Sequence, residues 1–225
     1  MNTGMLPRAN HLQRVYQVKS GAKIGTAFLI DVDHRQYLVS ALHVVEHSAE
    51  TASLEISKDG QWQNTPISVV GIDMQNDIAV FALTERRIGA ELPIRISGDG
   101  CVLGQEVFFL GYPLGLKGHL VEPGIPLPLV MRSVAASFHP DPRSIYLSGG
   151  APPGFSGAPV YYAHSDSTPV LTAVLLEELA YSAPVVDAAM SKIGSIWLPS
   201  GLVRCSYIDH ALRLISVNPI GLALV

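Results

Sequence analysis

Three residues of this 225-residue chain have the types, order and surroundings that nucleophilic chemistry needs: His43, Asp77 and Ser156. His43 ends the run Tyr37-Leu38-Val39-Ser40-Ala41-Leu42-His43, where a strand delivers an imidazole to its end. Asp77 directly precedes the apolar strand Ile78 to Leu83, and Ser156 lies in the glycine-flanked turn Pro153-Gly154-Phe155-Ser156-Gly157. A serine hydroxyl is too weakly acidic to attack a carbonyl unaided. An imidazole, titrating near ~6.5, can take its proton near neutral pH. A carboxylate fixes the ring tautomer and stabilises the imidazolium, while backbone N–H groups receive the developing oxyanion. The amides of Gly154 and Ser156 suit that last task, because a residue without Cβ lets the loop curl its donors toward one point.

Each residue alone has a plainer reading. The chain has eight histidines, Asp77 and Asp73 both read as turn residues, and Ser148-Gly149-Gly150 shows how common a serine beside glycines is. The joint pattern carries the weight: order His, Asp, Ser, each abutting a strand. A rival lies in His43-Val44-Val45-Glu46-His47, which matches the H-x-x-E-H zinc pattern. That pattern needs both histidines on a helix, whereas a strand runs straight into His43 and no long helix is expected after it. No metal and no cofactor is therefore expected. Gly154-Phe155-Ser156-Gly157-Ala158 also lacks the last glycine of G-x-S-x-G, and the residue order differs from that of α/β-hydrolases.

The elements that must position these residues are short β runs. Thr26 to Val32, Tyr37 to Ala41, Ser53 to Ser57, Ile67 to Val70 and Ile78 to Leu83 form a first set. Glu106 to Leu110, Leu129 to Ala135, Ser144 to Ser148, Pro159 to Tyr162, Val170 to Leu176 and Ile193 to Leu198 form a second. Such strands, separated by Gly, Pro, Asp or Asn, predict barrels or sandwiches. A helix is expected late, with Ser206 and Asp209 at capping-box spacing, Ile208, Ala211, Leu212 and Ile215 on one face, and Asn218-Pro219 as its stop.

Composition excludes several classes. With 15% charged residues and a net charge of −4, the chain offers no basic field for nucleic acid. Its longest apolar runs fall well short of the ~18 residues a membrane-spanning helix needs. Met1 to Asn10 is polar and lacks the apolar core of a secretory signal, so a cytoplasmic or already processed form is expected. Cys101 and Cys205 fit no metal spacing and are expected as reduced thiols.

Taken together, these segments resemble the chymotrypsin-like serine peptidases, and within them the HtrA-like or bacterial trypsin-like group. Gly25-Thr26-Ala27-Phe28-Leu29-Ile30 looks like the family's first-barrel strand, Ser40-Ala41-Leu42-His43-Val44-Val45 its histidine motif and Asn76-Asp77-Ile78-Ala79-Val80 its aspartate motif. Leu103 to Leu116 is similar to the opening of its second barrel, and Pro153 to Pro159 to its nucleophile loop. The separations, 34 residues from His43 to Asp77 and 79 from there to Ser156, also suit the family. Phe155 departs from it, standing where many relatives have Asp or Asn, as does Ala158, where a second Gly is common.

The resemblance implies an all-β fold of two antiparallel β-barrels of chymotrypsin type with a C-terminal helix. The expected divisions are an N-terminal extension (1–11), a first barrel (12–88), a crossover (89–100), a second barrel (101–204) and a helix with tail (205–225). It implies a serine endopeptidase acting on peptides or proteins through His43, Asp77 and Ser156, with an oxyanion hole at Gly154 and Ser156. The alternative is a catalytically silent fold that binds peptides or proteins. A specificity pocket is expected from Gly150, Ala151 and Pro153 with Val174 and Leu175 of the later strand. None of these is acidic, so apolar side chains are expected at the cleavage position; a shift of two or three positions would instead bring in Glu177 or Glu178. Oligomeric state is not legible.

Overall fold

The computed structural model describes residues 6–87, 93–118, 120–121, 125–140, 143–164 and 168–224; residues 89–92 of the expected crossover lie outside these. Six strands, β1 (Val15–Ser20), β2 (Lys23–Val32), β3 (Arg35–Ala41), β4 (Ser53–Lys58), β5 (Gln61–Asp73) and β6 (Ile78–Leu83), pair antiparallel in the order β3-β2-β1-β4-β5-β6. β6 then returns to β3, with Leu38 opposite Phe81, so the sheet closes into a barrel. Closure removes the edges that an open sheet would leave unpaired. Every residue of β6 is buried, because the barrel interior takes one face and neighbouring elements take the other.

A second set repeats the design. β7 (Glu106–Gly111), β8 (Leu129–Pro140), β9 (Arg143–Ser148), β10 (Pro159–Ala163), β11 (Pro169–Val186) and β12 (Lys192–Tyr207) run in the order β10-β7-β8-β9-β12-β11, and β10 pairs with β11 to close it. The fold is thus two antiparallel six-stranded barrels followed by one helix. β11 and β12 outrun their barrel: Ala180 to Val186 pairs with Lys192 to Pro199 as an exposed two-stranded ribbon. Cys205 is buried in the second barrel, Cys101 is half-buried, and both thiols are free.

Four elements differ from expectation. β1 was unannounced, because Val15-Tyr16-Gln17-Val18 is buried continuously rather than at alternate positions. α1 (Leu42–Thr51) starts where β3 ends, so the His43-x-x-Glu46-His47 pattern does lie on a helix. Among the described residues, however, no three metal-ligating side chains gather. At the other end, β12 runs to Tyr207, past the expected barrel end at 204, and α2 spans Asp209–Val217. Ser206 is a buried strand residue opposite Ser144 and Val174 and caps nothing; ladder pairing on both sides outweighs the local capping signal. Among the described residues, no helix is long and apolar enough to cross a membrane.

α2 packs Ala211 and Ile215 into the core of the first barrel, and Gly71 admits Leu214 where a Cβ would crowd it. Asp73 ties the helix down. Its carboxylate accepts from Arg213 at 2.6 Å, with His210 at 3.7 Å, and also from the backbone and side-chain N–H groups of Asn76. Burial pushes the Asp73 carboxyl up, but those hydrogen bonds and the two cations outweigh it and hold it below its ordinary 3.8. A carboxyl depressed in the folded state adds stability above its unfolded value and loses it as pH falls through the folded one. Denaturant midpoints should therefore decline below about pH 4, and Asp73→Asn should flatten part of that decline. An Asp73→Asn curve parallel to the wild type from pH 6 to pH 2.5 would contradict this role.

Candidate active site

Asp77 adopts φ 57°, a left-handed backbone that costs a non-glycine residue about 1–2 kcal/mol. In return it meets the N-terminus of α1 with both of its acceptors. Leu42 N–H donates to the Asp77 carbonyl and His43 N–H to Asp77 Oδ1, each at 2.9 Å. α1 has no side-chain cap of its own, so these bonds satisfy amides that a helix start otherwise leaves orphaned, and negative charge is favourable there. The second carboxylate oxygen accepts from His43 Nδ1 at 2.6 Å. That partner assigns the proton to Nδ1 and leaves the Nε2 lone pair available. The His43 side chain is 42% exposed while that of Asp77 is 19% exposed, so the ring is reachable and the carboxylate is shielded. Asp73, the other acid the sequence offered, faces Asn76, Arg213 and His210 rather than His43.

Ser156 comes from the second barrel, on the turn before β10. The turn is stitched to β2 through Thr26, whose N–H donates to the Ser156 carbonyl at 2.9 Å and whose hydroxyl donates to the Gly154 carbonyl at 2.8 Å. The same hydroxyl accepts from Tyr112 N–H at 3.3 Å. Gly157, at φ 88°, lies so close that a Cβ would fall on the Thr26 carbonyl oxygen and the Ser40 hydroxyl. Ser40 is three residues before His43, so this packing brings the serine turn against the strand that carries the imidazole. No hydrogen bond joins the Ser156 hydroxyl to the His43 ring; such bonds often close only when substrate binds.

The oxyanion question turns on which amides are spoken for. Phe155 N–H donates to Pro152, Gly157 N–H to Leu175 and Ala158 N–H to Phe155, but the N–H groups of Gly154 and Ser156 have no partner among the described residues. Their orientation has a cause. The Pro153 carbonyl accepts from Leu114 N–H at 2.7 Å, and in a trans peptide the N–H points opposite to the carbonyl. Gly154 N–H is thereby aimed away from the Tyr112 to Gly115 segment. Gly154 itself, at φ 109°, passes so near the Tyr112 carbonyl that a Cβ could not fit. Phe155 anchors the turn by burial: it is fully inaccessible and meets Phe109 edge-on at 4.9 Å. The contributions of Thr26, Tyr112 and Leu114 were missed in the sequence, where the only signal was the turn-dense Gly111-Tyr112-Pro113-Leu114-Gly115.

The pocket beside Ser156 differs from the one expected. Ala151 and Pro153 do line a cavity of about 330 Å³ with Ser156. Val174 and Leu175 do not: both are buried, and Leu175 spends its N–H on Ala158 and its carbonyl on Gly157. The wall comes instead from Glu177 to Ala180 and Trp197 to Pro199. The register of β11 against β12 shifts between Leu175 and Glu177, with one extra residue on β11, and shifts again between Glu178 and Ala180. Glu178 thus reaches back to accept Ala151 N–H at 3.1 Å, close beside Gly150. The lining expected for the pocket had no carboxylate, and this cavity carries Glu177 and Glu178.

Residues 25–166 match the family described as trypsin-like peptidase domain. Uncharacterized protein y4bJ of Sinorhizobium fredii (strain NBRC 101917 / NGR234) is 28% identical over 156 residues, 69% of this chain; the chain spans only 23% of that relative's length. Among solved structures, the serine endoprotease from Yersinia pestis superposes with a TM-score of 0.59 at 14% identity, covering 94% of this chain and 67% of that one. The HtrA-type protease AlgW with tripeptide gives 0.59 at 15% identity, covering 92% and 60%. These two likenesses are of fold. With 142 of its residues matched by one family and both barrels formed, the chain belongs to the trypsin-like peptidases.

Proposed function

We propose that the chain is a serine endopeptidase that hydrolyses peptide bonds through an acyl-enzyme. Ser156 Oγ attacks the scissile carbonyl, and His43 Nε2 accepts its proton and then delivers it to the leaving amine. Asp77 holds the ring and stabilises the imidazolium, and the amides of Gly154 and Ser156 receive the oxyanion. Water, deprotonated by the same imidazole, then releases the acyl group from Ser156. The observation that carries this reading is the 2.6 Å bond from His43 Nδ1 to Asp77, made beside a serine turn sewn to the same barrel. A peptide or protein is the matching substrate. A catalytically silent, peptide-binding fold is the second reading, favoured by the missing bond between Ser156 and His43.

Fluorophosphonate labelling decides between the two, because only an activated serine reacts. Labelling is expected at Ser156, and its absence in a folded sample would favour the silent fold. Ser156→Ala and His43→Ala should each lower kcat/KM by roughly four to six orders of magnitude. Asp77→Asn should be severely impaired and Asp73→Asn far less so; the reverse ranking would reassign the acid. EDTA should leave turnover unchanged, whereas loss restored by zinc would revive His43, Glu46 and His47 as ligands. Thr26→Val keeps shape but frees the Gly154 carbonyl, and should cost about 10- to 100-fold in kcat/KM with the protein still folded. Turnover within twofold of the wild type would show that Thr26 does not set the oxyanion turn.

A further inference from the structure

Glu177 and Glu178 sit on β11 between its first two register shifts against β12, and their side chains part company. Glu177 faces its cross-strand neighbour Arg204, whose Nε and Nη2 both reach Oε1 at 2.9 Å, so its charge is met. Glu178 turns toward the cavity beside Ser156, and its one hydrogen bond is to the uncharged amide of Ala151. Among the described residues it has no cationic partner. The rest of the lining is apolar where it counts: Ala151, Pro153, Ala180 and Trp197, the last 72% exposed.

A carboxylate at such a wall makes demands on the occupant. An apolar side chain would strip water from Glu178 and return nothing, a costly outcome for an unpaired charge. A long cationic side chain can lay its methylenes on Pro153 and Ala180 and place its charge at the carboxylate, with the Trp197 indole available to a guanidinium face. A volume of about 330 Å³ admits such a side chain. We propose that Glu178 makes this cavity a cation-selecting pocket, so that the substrate residue it receives at the cleavage position is arginine or lysine. This rests on the serine-peptidase reading above and reverses the apolar preference expected from the sequence.

Two peptides differing only by arginine or citrulline at the cleavage position test it, since citrulline keeps the shape and drops the charge. The wild type should favour arginine in kcat/KM by roughly 10- to 100-fold. In Glu178→Gln, which can still accept the Ala151 N–H, the ratio should fall to within about threefold of unity. Taking the ratio within each protein cancels differences in folded or active fraction. A wild-type ratio near one, or a ratio unmoved by Glu178→Gln, would overturn the proposal. If fluorophosphonate fails to label the wild type, the peptidase reading fails separately, and calorimetric binding of the same two peptides takes over. A Kd that favours arginine in the wild type and not in Glu178→Gln then upholds the pocket; equal Kd values reject it.

Discussion

Everything at the site depends on one residue at the seam between the barrels. Thr26 donates its N–H to the Ser156 carbonyl and its hydroxyl to the Gly154 carbonyl, and its own carbonyl accepts from the Ser40 hydroxyl. Each partner belongs to a different part of the machinery: the serine, the amide turn beside it, and the strand leading to His43. Because Thr26 is wholly buried, these bonds are not exchanged with water, and a missing partner would be left unsatisfied at a cost of about 1–3 kcal/mol. The close approach also explains why Gly157 must lack a side chain. Two barrels that are separate in sequence are locked in one relative position to within the length of a hydrogen bond.

Asp77 shows the same economy within the first barrel. Its left-handed backbone is unfavourable in isolation, yet it caps α1 and grips His43 at once, so the orientation of the ring and the stability of the helix are one property. In the second barrel, Phe155 fixes the serine turn by apolar burial against Phe109. Anchorage of that kind responds weakly to ionic strength. The turn is therefore set by packing rather than by a charge that must first be supplied.

What could be read in the sequence follows from how local each signal is. His43, Asp77 and Ser156 stand out because each lies within three residues of a strand end, and strand boundaries are marked by neighbouring Gly, Pro, Asp or Asn. Thr26 is invisible in this way, since its partners Gly154 and Ser156 lie some 130 positions away and a threonine in a strand is unremarked. β1 was lost because burial on both faces erases alternation. The pocket failed for a sharper reason: the register shift between Leu175 and Glu177 takes Glu177 and Glu178 out of the phase that a regular strand would give, and nothing in Leu175-Leu176-Glu177-Glu178-Leu179 marks it.

The ribbon formed by Ala180 to Val186 and Lys192 to Pro199 supplies a wall of the cavity, and among the described residues no further strand pairs with either of its outer edges. Open edges beside exposed Tyr181, Ile193, Ile196 and Trp197 are templates for pairing with other chains. Pro184 and Pro199 each withhold an N–H from this stretch, and Lys192 puts a charge next to its turn, interruptions of the sort that keep edges from stacking. The solubility of the folded protein and the shape of its pocket are thereby written into the same two strands, so changes that smooth the ribbon to adjust one would expose the chain to aggregation through the other.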